Sequence, residues 1–232
     1  MSNSIIIRNI PKNAKNIVVF VHGLGSRWDS RGMFTEIKDS LPKNWGSILF
    51  DLYYIEGTDV YVSSISEQVD NLKEIIAETK NKNPDARIHI ISHSKGCIIT
   101  AIAMPEVLGN IILLSPPEMF GTKIQSYFER YPGAKKTKSE IIVPRKDRTT
   151  THIPLKYFKE SQDVDVQGVM INLSRKHQII LIQTMNDEVL GHTSYDKLQK
   201  NKAIKIKQLD ADHNFTGESR IKLINLIKEL LK

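Results

Sequence analysis

The sequence predicts an α/β fold: a mostly parallel central sheet with helices on both faces. Apolar runs of strand length alternate with segments of helical period along most of the chain. The runs are apolar at successive positions, not every second one, so both faces of each strand are covered. The polar residues that interrupt them fall just past the strand ends, where an open parallel sheet gathers its functional groups.

Taken in order, residues 17–22 (IVVFVH) form the first long strand. Ser30 is placed to cap a helix over about 31–41, which Pro42 stops. Residues 47–52 (SILFDL) form the next strand. Ser64 with Glu67 three positions on makes a capping box. Behind it Ile65, Val69, Leu72, Ile76 and Thr79 share one helical face, and the helix ends near Asn83-Pro84. Residues 87–92 (RIHIIS) are a strand, followed by a helix over about 95–104. Residues 110–115 (NIILLS) are the next strand, closed by Pro116-Pro117. Later come a strand at 178–184 (QIILIQT), a short helix at about 194–200, a strand at 203–209 (AIKIKQL) and an amphipathic helix at 217–231.

The stretch 118–176 breaks this rhythm. It holds aromatic residues, lysines at 135, 136 and 138, a strand-like run at 140–143 and a turn at 149–154 (TTTHIP). It is read as a cap-like insertion between two core strands of a single domain over 1–232. Its 12 Lys and Arg against seven Asp and Glu carry +5 of the chain's +7, leaving +2 for the rest. Phe128 and Tyr157 are candidates to line a substrate pocket, and the positive charge suits acidic substrates; the alternative is that the aromatics pin the insertion to the core and the lysines keep it soluble.

A chain of 232 residues suits one large domain and buries roughly 70–75% of its unfolded surface without staples. Its 40% apolar and 25% charged residues are those of a soluble globular protein. There is no charged-then-apolar leader and no run long enough to span a membrane. One cysteine cannot make an internal disulfide, which fits a reducing, cytoplasmic setting. No basic run is interleaved with aromatics, so no nucleic-acid partner is expected. No Cys/His set has zinc spacing, and no metal or other cofactor is expected.

Four polar signals fall at strand ends: His22-Gly23-Leu24-Gly25, Ser92-His93-Ser94-Lys95-Gly96, Asn186-Asp187-Glu188 and Asp212-His213-Asn214. Together they make chemical sense. A serine hydroxyl needs an adjacent base to become a nucleophile, and His213 suits that role for Ser94. A carboxylate must orient the imidazole and stabilise its charged form. Asp187, first after the turn at Asn186, is favoured over Glu188. A tight strand-to-helix turn needs small neighbours, and Ser92 and Gly96 flank Ser94 at two positions on either side. The backbone N–H of Lys95, at a helix N-terminus, is one oxyanion donor. That of Leu24, between glycines, is the other.

On VVFVHGLGS, IISHSKGC, TMNDEV and DADHNF the chain resembles the α/β-hydrolase fold family of small serine hydrolases, over about 15–116 and 177–232. The family's G-x-S-x-G becomes Ser92-x-Ser94-x-Gly96, and the order Ser, acid, His is the family's order. The resemblance implies a Ser94 nucleophile, Asp187 acid, His213 base, and Leu24 and Lys95 as oxyanion donors. It implies cleavage of an acyl bond in a small-molecule substrate, foremost a carboxylic ester, through an acyl-enzyme. A peptidase or thioesterase would use the same residues. A binding protein that keeps the fold without turnover is the reading from another class.

Other polar residues have local roles in this reading. His22 shapes its loop by hydrogen bonding, and Asp51 shapes a turn. His93, next in the chain to Ser94, leaves the turn in another direction from the nucleophile. Cys97 packs as a small buried hydrophobe. His152 is read as a surface loop residue in preference to a substrate contact, and Asp210, Asp212 and His213 are too few to hold a metal.

Overall fold

The computed structural model describes residues 6–118, 120–145 and 148–231. Among them the chain begins with β1 (Ile6–Asn9), β2 (Asn16–Val21), α1 (Met33–Asp39) and β3 (Gly46–Phe50). Next come β4 (Tyr54–Glu56), β5 (Asp59–Tyr61), α2 (Ile65–Lys82), β6 (Arg87–His93), α3 (Lys95–Ala103) and β7 (Ile111–Leu114). Then follow α4 (Thr122–Glu129), β8 (Lys135–Lys136), β9 (Glu140–Pro144), β10 (Thr150–Pro154), α5 (Leu155–Ser161) and α6 (Val166–Ser174). The chain closes with β11 (Ile179–Thr184), α7 (Asp196–Gln199), β12 (Ile204–Leu209) and α8 (Glu218–Leu230).

The main sheet has the order β1-β3-β2-β6-β7-β11-β12. Every neighbouring pair is parallel except β1 on β3. Strand β2 shows why its run is apolar at every position. Ile17, Val19 and Val21 join a cluster with α2, α3 and α6, while Val18 and Phe20 join one with α1 and α8. All five are fully buried, and each such side chain stabilises the fold by about 1.5–3 kcal/mol. Among the described residues no helix is long and apolar enough to cross a membrane.

A second sheet, β4-β5-β10-β9-β8, stands beside the first. Its strand β5 pairs in parallel with β10, so Asp59 meets Thr150 and Tyr61 meets His152. The insertion therefore shares its sheet with residues 54–61, whose sequence carries no strand period. Residues 150–154, expected as a turn, are strand β10, because their backbone bonds run to β5 and β9. Helix α6 packs on α3 as the crossover between β7 and β11, so the end of the 118–176 stretch serves the main sheet. Ile141, Val143, Ile153 and Phe158 join the same apolar cluster as β2 and α3.

Helix α1 starts later than expected. Ser30, Arg31 and Gly32 have φ of 46°, 58° and 81°, and Gly32 occupies the N-cap position. Ser30 is buried and does not cap the helix. Helix α2 begins as its capping box requires. The Glu67 N–H donates to Ser64 Oγ at 3.3 Å, and the Ser64 N–H donates to Glu67 Oε2 at 2.8 Å. Glu160 of α5 accepts from the Ile65 N–H at 2.7 Å, tying the inserted helix to the same terminus. Ser64→Ala should lower stability by about 1 kcal/mol, and Glu160→Gln by less. Urea midpoints would check this, and a neutral Ser64→Ala would contradict the cap.

Three histidines are buried at the sheet and held neutral. His89 Nδ1 accepts from the Asn110 N–H at 3.0 Å, so its Nε2–H faces Asn16 Oδ1 at 3.1 Å. His22 Nε2 accepts from the Leu52 N–H at 2.9 Å, so its Nδ1–H donates to the Gly23 carbonyl. His93 donates from Nε2 to the His213 carbonyl at 2.9 Å. Burial lowers His22 and His93 to about 3 and His89 to about 4. Asp51 Oδ1 lies 4.0 Å from His22 Nε2, but a neutral ring makes this no ion pair.

A histidine whose pKa falls on folding takes up its proton more readily in the unfolded chain. Stability is then complete above about pH 6.5 and declines as pH drops from there toward 4. Each of the three contributes to that decline. Urea midpoints at pH 7, 6 and 5 should fall in that order. His89→Asn, whose amide oxygen can replace Nδ1 as acceptor, should flatten the slope. A midpoint independent of pH across this range would contradict the neutral burial.

Candidate active site

Ser94 sits in the turn between β6 and α3 with φ 52° and ψ −126°, a left-handed conformation that costs a serine of order 1–3 kcal/mol. The surroundings enforce it. Its N–H donates to the Leu114 carbonyl of β7 at 2.8 Å, and its carbonyl accepts from the Cys97 N–H at 3.0 Å. Only glycine fits at position 96, where a Cβ would lie 2.3 Å from the Val21 carbonyl oxygen. Ser92 is fully buried, with its hydroxyl 2.6 Å from Thr100 Oγ1. The two small residues flanking Ser94 thus meet the packing the sequence anticipates.

Ser94, Asp187 and His213 come together although they lie on three separate loops. His213 Nε2 is 3.0 Å from Ser94 Oγ, and its Nδ1 is 2.8 Å from Asp187 Oδ2. A carboxylate only accepts, so Nδ1 carries the proton and Nε2 is left to accept from the serine hydroxyl. Asp187 Oδ1 takes the N–H groups of Val189 and Leu190 at 3.0 and 2.7 Å. Its Oδ2 also takes the Thr184 hydroxyl at 2.8 Å. Burial opposes ionisation of Asp187. The His213 ring, with the Leu190 N–H and the Thr184 hydroxyl, nevertheless holds its carboxyl below the usual aspartate value. Glu188, the competing acid, accepts from the backbone N–H of His213 at 2.9 Å, not from its ring.

The loop after β2 closes over the serine. A Cβ at Gly23 would lie 3.1 Å from Ser94 Cβ and 3.6 Å from its Oγ. Among the described residues no acceptor meets the Leu24 N–H. The Lys95 N–H, first in its helix, has no intrahelical partner. Both anticipated oxyanion donors thus lie in backbone next to Ser94. The Lys95 side chain turns away from solvent: its ammonium bonds Gln68 Oε1 and lies between the rings of Tyr53 and Tyr157, at 5.3 and 5.2 Å. Burial pushes that amine well below the ordinary lysine range.

Phe128 and Tyr157, expected to line a substrate pocket, are instead packed into the main apolar cluster at 6% and 0% exposure. Phe128 packs against Phe158 and carries the Arg145 guanidinium over its ring, and Tyr157 covers Lys95. These two aromatics serve to dock the insertion. His93 meets the His213 loop rather than the Ser94 hydroxyl, and Asp51 accepts from the Trp28 N–H at 2.8 Å. Cys97 is fully buried and its thiol is pushed up by burial. His152 lies in β10, stacked on Tyr61 and bonded to Glu140. Asp212 bonds the Thr216 backbone, and Asp210 bonds Asn186. Among the described residues no three His, Cys, Asp or Glu side chains gather as a metal site.

Sequence reasoning missed Thr184 and Tyr53. Thr184 ends a strand as threonines commonly do, and only the fold brings its hydroxyl to Asp187. Tyr53 sits in an apparent connection.

A family model described as the alpha/beta hydrolase fold matches residues 16–180. That span holds Ser94 and ends before Asp187 and His213. No curated protein sequence matches the chain. Among solved structures, Est1E from Butyrivibrio proteoclasticus superposes with a TM-score of 0.72 at 15% identity, over 97% of this chain and 92% of that one. The esterase domain of a Rhodothermus marinus protein gives 0.67 at 12% identity, over 98% and 97%. Monoacylglycerol lipase from Paleococcus ferrophilus gives 0.65 at 15% identity, over 99% and 98%. With a strained serine at the β6–α3 turn and a family match across most of its sheet, this chain belongs to the α/β hydrolase fold family.

Proposed function

We propose that the protein is a serine hydrolase that cleaves a carboxylic ester of a small-molecule substrate through an acyl-enzyme. The observation that carries this reading is the continuous chain from Ser94 Oγ through His213 to Asp187, at 3.0 and 2.8 Å. A serine, a neutral imidazole and a carboxylate in that order form a nucleophile with its base and the base's orienter. The esterase and lipase names of its structural relatives support the choice of ester.

The steps follow from the bonding. Ser94 Oγ attacks the ester carbonyl carbon while its proton passes to His213 Nε2. The carbonyl π pair moves to oxygen, where the N–H groups of Leu24 and Lys95 receive it. Collapse expels the alkoxide, which takes the proton from His213. Water then repeats the sequence on the acyl-serine and releases the acid. Asp187 remains ionised and balances the imidazolium at each transfer. The Thr184 hydroxyl and the backbone N–H groups of Val189 and Leu190 keep its other contacts filled, so the carboxylate does not turn away from the ring.

Ser94→Ala and His213→Ala should each lower ester turnover by about 10⁴-fold or more, and the double variant should cost little beyond either. Losses that multiply would contradict a concerted triad. Asp187→Asn should cost about 10⁴-fold by favouring the wrong tautomer. Glu188→Gln, which touches only the His213 backbone, should be far milder. A reversal of these two would reassign the acid. Labelling by a fluorophosphonate should map to Ser94 and vanish in Ser94→Ala.

A further inference from the structure

We propose that Tyr53 is a positioning residue for this reaction: its phenol fixes the direction of the Leu24 N–H by holding the carbonyl on the other side of the same peptide bond. The inference rests on the hydrolase reading above.

The Gly23 carbonyl and the Leu24 N–H belong to one planar trans peptide, so they point in opposite directions. Whatever holds the carbonyl aims the N–H. Two side chains hold it: Tyr53 Oη donates at 3.0 Å, and His22 Nδ1 donates at 2.9 Å. The turn closes on itself only through a long Ser26 N–H to Gly23 carbonyl bond of 3.4 Å. Tyr53 Oη takes over that closure. It accepts from the Ser26 N–H at 3.1 Å, and its single O–H lies between the Gly23 and Ser26 carbonyls at 3.0 and 3.1 Å. One phenol thus ties both ends of the segment that contains Leu24. Without it, His22 would be the one side chain left on that carbonyl, in a loop whose two glycines make rotation of the peptide easy.

The phenol is itself held rigidly. Tyr53 is 2% exposed, and the edge of His22 meets its ring at 5.0 Å and 88°. On the ring face lies the Lys95 ammonium at 5.3 Å, backed by Tyr157 and by Gln68, whose Nε2 donates to the Ser63 carbonyl at 2.7 Å. Burial raises the Tyr53 pKa above its ordinary range, so the phenol stays a donor. Lys95 therefore acts twice. Its backbone N–H is one candidate donor, and its side chain supports the tyrosine that aims the other.

Tyr53→Phe keeps the ring and removes only the hydroxyl. The expected result is a fall in kcat of about 10- to 100-fold with KM within about twofold, since misdirecting one donor resembles losing it in part. The decisive readout is a trifluoromethyl ketone. Ser94 Oγ adds to its carbonyl carbon, His213 takes the proton, and the carbonyl oxygen becomes the oxyanion. Its inhibition constant should weaken by the same factor as kcat/KM, while binding of the product acid is unchanged. Should Tyr53→Phe fold poorly, Lys95→Met leaves the phenol in place and removes its support, and a smaller parallel loss in kcat and ketone binding is expected. Unchanged kcat and ketone affinity in a folded Tyr53→Phe would overturn the clamp and leave the hydrolase reading standing. A wild-type protein that neither turns over esters nor takes a phosphonate on Ser94 would overturn both.

Discussion

Gly96 lies so close to β2 that a single added carbon would fall 2.3 Å from the Val21 carbonyl oxygen and 2.6 Å from that of His22. That approach sets how near α3 runs to the sheet, and much of the site follows from it. A helix this close leaves the preceding residue no room for an ordinary turn, so Ser94 takes φ 52°. The turn lifts the hydroxyl clear of the sheet and aims the first helical N–H groups beside it. The same contact brings the His22–Ser26 loop against Ser94, with Gly23 admitting no larger side chain without displacement. Ser94, helix terminus and loop are thus one packing unit, and the strain at Ser94 is offset by the burial around it.

Much of this was legible in the sequence because it depends on local spacing or on strand ends. The runs IVVFV and IILL are apolar at every position because both faces are covered, and no amphipathic alternative competes. Ser92, Ser94 and Gly96 signal their turn by size alone. Asp187 and His213 announced themselves by following strands, and a parallel sheet brings strand ends to one rim. The choice between Asp187 and Glu188 rested on order in the turn, and the structure gives each carboxylate a different atom of His213.

What the sequence did not disclose are pairings between distant short segments. Strands β4 and β5 have three residues each, with one buried position apiece, too few for any period to register. Strand β10 alternates polar and buried residues, but its threonines and proline read as a turn until β5 and β9 supply partners. Ser30 failed as a cap because three successive left-handed residues carry the chain around a corner before α1 can begin. Tyr53 was invisible for the same reason as β4. Its role depends on Gly23 and Ser26, some 30 residues earlier, and not on its neighbours.

The parallel joint between β5 and β10 bears on how such a molecule could be re-engineered. Exchanging residues 118–164 for another cassette would remove the partner on one side of β5 and leave β4–β5 as an isolated ribbon, which is marginal in water. Its bare edge would open beside the His22–Ser26 loop, where Thr151 and the Arg145 guanidinium now lie against Gly25, and where Arg27 bonds the Gly57 carbonyl of the β4–β5 bend. The inserted segment is therefore not a detachable module. Retargeting this scaffold favours single replacements on a preserved second sheet over wholesale grafts.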